Sequence, residues 1–97
     1  MKKFIRGTFE LEQNIGDFDA YEDRKELYIK SIIQWAKEHD IDVILGESED
    51  NCYLCEYIVK ANTSALCKGY VSELKHMLKI GFPKMRLLYQ ASGNLLR

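Results

Sequence analysis

The hydrophobic period of this chain switches between two residues and about three and a half in a set order: strand, helix, strand, strand, helix, strand. Six segments in that order account for most of the sequence. Few folds bury the apolar face of every segment at once.

Residues 3–13 alternate, with Ile5, Gly7, Phe9 and Leu11 on one face and Phe4, Arg6, Thr8, Glu10 and Glu12 on the other. This is a half-buried strand. Asn14-Ile15-Gly16-Asp17 marks a turn, and Asp19 with Glu22 three residues on gives a capping-box pattern. Residues 20–39 then read as a helix whose stripe is Tyr21, Tyr28, Ile29, Ile32, Ile33 and Ala36. Leu27 lies outside that stripe and Trp35 at its margin, which predicts partial exposure for both.

Ile41, Val43 and Leu45 alternate with Asp42 and Ile44 in a second strand, which is followed by a polar hairpin loop over 46–51. In the third strand, 52–61, Tyr53, Cys55, Tyr57, Val59 and Ala61 form the uncharged face, assigned to the core. Cys52, Leu54, Glu56, Ile58 and Lys60 form the other. Asn62-Thr63-Ser64 offers caps for a second helix with the inner stripe Leu66, Cys67, Tyr70, Val71, Leu74, Met77 and Leu78. Gly81, with Pro83 close behind, is placed as the left-handed stop of that helix. Met85, Leu87 and Tyr89 alternate with Arg86, Leu88 and Gln90 in a last strand, and residues 92–97 read as a frayed tail.

These elements predict one α+β domain over residues 1–97. It is a two-layer split β-α-β-β-α-β sandwich of the ferredoxin-like kind, with two helices on one face of a four-stranded antiparallel sheet. Right-handed crossovers favour the strand order 4-1-3-2. The opposite sheet face is then uncovered, and it carries Phe4, Arg6, Thr8, Ile44, Leu54, Glu56, Ile58, Arg86 and Leu88. Water alone favours a more polar face, and an apolar patch of this extent points to a partner. The competing reading is that single exposed apolar residues are ordinary.

Length permits one core and no more. The formal charge of −1 lacks the basic excess of a general nucleic-acid binder. Charge is nevertheless uneven, with 13 acids and 7 bases in residues 1–50 and 2 acids and 7 bases in residues 51–97. Arg6, Glu10 and Glu12 break any apolar leader after Met1-Lys2-Lys3. Three cysteines, an odd number, suit a reducing compartment. The expectation is a cytoplasmic protein with no membrane association.

Cys52-Tyr53-Leu54-Cys55 has the spacing of a metal or redox pair. On a strand, however, that spacing puts the two thiols on opposite faces. Thioredoxin-like cysteines also need a helix N-terminus, which this motif lacks. Cys55 and Cys67 therefore read as small core residues. His39 and His76 lie near helix C-terminal ends, where a cation is favoured. Glu56 with Arg6 or Arg86 reads as a cross-strand ion pair rather than an acid catalyst. The glycines form no phosphate loop. No catalytic residue, cofactor or metal follows from the sequence.

Three families share this topology. Acylphosphatases place an arginine in a phosphate-cradling loop after the first strand, where this chain has Asn14-Ile15-Gly16-Asp17-Phe18-Asp19. The amino-acid-sensing ACT domains share only a glycine near that junction, matched loosely by Gly16. Ferredoxin-like CRISPR nucleases carry an aspartate at the end of the first strand, where Gln13 and Asn14 stand.

The expected function is a non-catalytic protein-interaction module acting through the open sheet face, with a homodimer as one form. Arg6, Glu56 and Arg86 would set register, and Phe4, Ile44, Leu54, Ile58 and Leu88 would supply area. One alternative is a small phage-type inhibitor, anti-CRISPR-like, using Asp17, Asp19, Glu22, Asp23, Glu26, Glu47, Glu49 and Asp50. Another is RNA binding on the open face. That reading needs stacking aromatics on the central strands, and Phe4 is the one outward aromatic placed there.

Overall fold

The computed structural model describes residues 2–12, 22–48 and 52–95, with side chains from Glu26 onward in the first helix. The order is β1 (Lys3–Glu12), α1 (Glu22–Glu38), β2 (Asp42–Glu47), β3 (Cys52–Ala61), α2 (Ser64–Gly81) and β4 (Met85–Asn94). The four strands form one antiparallel sheet in the order β2-β3-β1-β4. This is the anticipated 4-1-3-2 order counted from the other edge.

The period-two pattern decides which face is covered. Ile5, Phe9 and Leu11 of β1 and Tyr53, Cys55, Tyr57 and Val59 of β3 are buried. They meet Ile32 and Ala36 of α1 and Cys67, Leu74 and Leu78 of α2 in one core, so both helices lie on the same side. Each fully buried Leu or Ile side chain contributes about 1.5–3 kcal/mol.

The buried line of α2 is narrower than its sequence suggests. Cys67, Leu74 and Leu78 share one line, and Leu66, about 100° away from it by the helical repeat, is half exposed. Thr63 caps this helix, its Oγ1 accepting from Leu66 N–H at 3.1 Å. Such a cap stabilises by about 1 kcal/mol. Trp35 is half-buried, with Tyr70 and His39 beside it, and Leu27 is exposed. The proposed Asp19 cap lies outside the described residues.

Gly81 corrects the sequence reading. It is the last residue of α2 and has no positive φ, so it is not a left-handed stop. Its backbone instead lies against the Tyr28 ring, and an added Cβ would fall 2.9 Å from Tyr28 Cζ. Tyr28 Oη accepts from Gly81 N–H at 3.2 Å and donates to the Met77 carbonyl. The glycine permits a helix-to-helix contact rather than a turn.

The chain end also departs from expectation. Residues 92–94 continue β4, pairing with Lys3, Phe4 and Ile5, and Leu95 N–H donates to the Lys2 carbonyl at 2.7 Å. Residues 96–97 lie outside the described part.

Candidate functional site on the open sheet face

Side chains on the face away from the helices follow from the same alternation. Phe4, Arg6 and Thr8 of β1 stand beside Lys60, Ile58 and Glu56 of β3, and the last two stand beside Asp42 and Ile44 of β2. Leu54 and Cys52 continue this row on β3.

β4 breaks the alternation. Thr8 pairs with Tyr89, while its neighbour Phe9 pairs with Leu87, so Leu88 is an extra residue without a partner on β1. A bulge of this kind shifts all later side chains to the other face. The expected inward Tyr89 and outward Gln90 are therefore exchanged. Tyr89 stands on the open face, where Arg6 Nη2 approaches its hydroxyl at 3.5 Å. Gln90 turns to the helix side, and its Oε1 accepts from Tyr57 Oη at 3.0 Å.

The anticipated cross-strand ion pair of Glu56 is not formed. Arg86 instead donates to Glu10 Oε1 at 2.9 Å, its direct neighbour across the β1–β4 ladder. Lys60 lies 3.9 Å from Asp42. Arg6 pairs in register with Ile58, and Glu56 with Thr8, so the two charges sit diagonally, two residues out of register. That offset leaves both without an ionic partner among the described residues.

A shallow groove of about 250 Å³ runs across the centre of this face. It brings together Arg6, Thr8, Ile44, Glu56 and Ile58 from the residues expected on this face, and adds Asp42 and Tyr89. Phe4, Leu54, Arg86 and Leu88 lie outside the groove lining. Leu54 and Phe4 are half-buried, and Leu88 is exposed at the bulge. Ile44 is 68% exposed and Tyr89 48%, so large apolar surface stands in water on this side. Sequence reasoning missed Tyr89 because nothing in Leu87-Leu88-Tyr89 marks the extra residue.

The remaining candidate chemistry is separated in space. Cys52 lies on the open face, opposite Glu12, while Cys55 is fully buried on the other side opposite Phe9. Burial pushes the Cys55 thiol up to about 12, and the neighbouring Glu56 carboxylate adds to the shift. Such a thiol is protonated and inert near neutrality. Cys67 is buried, and its Sγ–H points to the Lys3 carbonyl at 3.5 Å. Among the described residues no group of three or more His, Cys, Asp or Glu could hold a metal ion. No helix among them is long and apolar enough to cross a membrane.

Much of the acidic set lies outside the described part, including Asp17, Asp19, Glu49 and Asp50. Of those described, Glu26 pairs with Lys30 at 3.4 Å, and Glu47 accepts from Tyr53 Oη at 2.8 Å.

No family model matches the chain, and no curated protein matches it. Among solved structures it is similar to the de novo designed protein Foldit4. The TM-score is 0.61 over 98% of this chain and 99% of that one, at 7% sequence identity. A likeness at that identity is one of fold, and the fold hosts many unrelated functions.

Proposed function

We propose that this protein is a non-catalytic interaction module that docks a protein partner on its open sheet face. The observation that carries the reading is the position of Tyr89. The bulge at Leu88 turns a large aromatic outward, so that Tyr89 on one edge strand, Ile44 on the other and Ile58 between them line one groove. Aromatic side chains with a polar tip are enriched at the centres of protein interfaces. Arginine is enriched there as well, and Arg6 borders the groove.

RNA binding is less well supported. Stacking platforms place aromatics on both central strands. Here Phe4 is on β1 and Tyr89 on the edge strand β4, while the open face of β3 presents Cys52, Leu54, Glu56, Ile58 and Lys60.

The test is a native mass measurement on chain recovered from the cells that make it. Wild type is expected in a complex. Ile44→Asp and Ile58→Asp are expected alone and still folded by circular dichroism. A complex that survives both substitutions contradicts the reading.

A further inference from the structure

We propose that the partner on the open sheet face is a second copy of this chain, held in register by reciprocal Arg6–Glu56 pairs between protomers. This rests on the docking role of that face and names its occupant.

The argument begins with charge. Lys60 has Asp42 as a neighbour and Arg86 is paired with Glu10, so each of these cations has its counter-charge within the chain. Of the three charges bordering the central groove, Asp42 has Lys60 near it, while the opposite pair Arg6 and Glu56 lack a counter-charge among the described residues. They are separated diagonally across β1 and β3. A two-fold axis in the interface plane, perpendicular to that diagonal at its midpoint, sets Arg6 of each protomer over Glu56 of the other. Two ion pairs then form by one operation, as isologous contacts require. Ile44, Ile58 and Tyr89 lie around the same groove and supply the apolar area. The charges set register and exclude wrong partners more than they add affinity.

Size agrees. Three ten-residue strands and the six-residue β2, rising about 3.3 Å per residue and about 4.8 Å apart, give a face of roughly 33 by 19 Å that is shorter along β2. Its projected area of about 570 Å² is close to the ~600 Å² per partner at the small end of stable interfaces. Pairing through the edge of β4 is disfavoured, because the Leu88 bulge breaks the regular ladder there.

The experiment is sedimentation equilibrium on the full chain at about 100 μM, where a complex with Kd near 1 μM is saturated. Wild type is expected at twice 11.3 kDa. Arg6→Glu alone and Glu56→Arg alone are each expected to be weakened on the order of 100-fold by like charges facing each other, so that about half of either chain is monomeric at this concentration and nearly all of it at about 1 μM. Mixing these two variants restores both ion pairs and is expected to restore the dimer mass. The double variant R6E/E56R is expected to dimerise alone. A monomeric wild type overturns the proposal, and the complex recovered from cells then decides the docking reading separately. A dimer indifferent to both single variants but dissociated by Ile58→Asp overturns the ion-pair register while keeping the face. A dimer indifferent to Ile58→Asp as well overturns both.

Discussion

The Tyr57 ring lies directly over Gly7, so that a Cβ on the glycine would fall 2.6 Å from the tyrosine hydroxyl. The two residues are register partners on β3 and β1. From there the hydroxyl reaches Gln90 on β4, and one side chain spans three strands. Gly7 leaves the space, and the bulge at Leu88 brings the Gln90 amide to the helix side where it can accept. Gly7→Ala is expected to destabilise the fold by about 1–3 kcal/mol, the usual cost of overpacking a filled site. Urea unfolding followed by circular dichroism measures it. An unchanged midpoint contradicts the packing described.

Tyr28 and Gly81 make a second close approach, between the two helices. Tyr28→Phe removes the hydroxyl that accepts from Gly81 N–H and donates to the Met77 carbonyl. Each lost hydrogen bond costs about 0.5–1.5 kcal/mol, so a loss of about 2 kcal/mol is expected in the same unfolding assay. Gly81→Ala is expected to be as harmful, because the methyl meets the ring. If Gly81 were a left-handed stop, Gly81→Asn would be tolerated and Tyr28→Phe would be silent.

The three thiols differ in reach. Cys52 is half-buried on the open face, while Cys55 and Cys67 are fully buried. With a maleimide at neutral pH, one cysteine is expected to label quickly in the native protein, and peptide mapping is expected to place it at Cys52. Cys55 and Cys67 are expected to label only at the rate of unfolding. Rapid native labelling of Cys55 contradicts its placement.

The raised pKa of Cys55 gives stability a dependence on alkaline pH. An acid whose pKa is higher in the folded state holds its proton more tightly there than in the unfolded chain. Its contribution is complete below the ordinary value of 9.0 and is lost as pH rises toward about 12. Burial also raises Tyr28 and Tyr57, which act in the same direction. Unfolding free energy is therefore expected to fall from pH 9.0 upward. Cys55→Ala is expected to be less stable overall, through the cavity, but to lose less with pH. Equal slopes for the two proteins contradict the assignment.

The order of strands and the division of β1 and β3 into two faces were legible because both rest on strict alternation. Ile5, Phe9 and Leu11 are buried, Arg6 is exposed, and Tyr57 and Val59 are buried with Glu56 exposed between Cys55 and Tyr57. The β4 side of the site was not legible. A single inserted residue among three apolar ones leaves no mark, yet it exchanges the faces of Tyr89 and Gln90. The partner of Arg86 follows from strand order, because β1 separates β4 from Glu56 on β3 and sets Glu10 opposite Arg86. Gly81 satisfied a helix-stop rule by position, while its actual role depends on Tyr28, more than fifty residues away in sequence.

Hydroxyl-radical labelling across a dilution series most directly tests whether the face opposite the helices is the one that becomes covered. Ile44, Ile58 and Tyr89 are expected to be protected in concentrated protein and to gain label on dilution. Leu27 and Ile80, exposed on the helices, are expected to label equally throughout. Uniform labelling of all five residues at every concentration, or protection of Leu27 and Ile80 instead, contradicts the account.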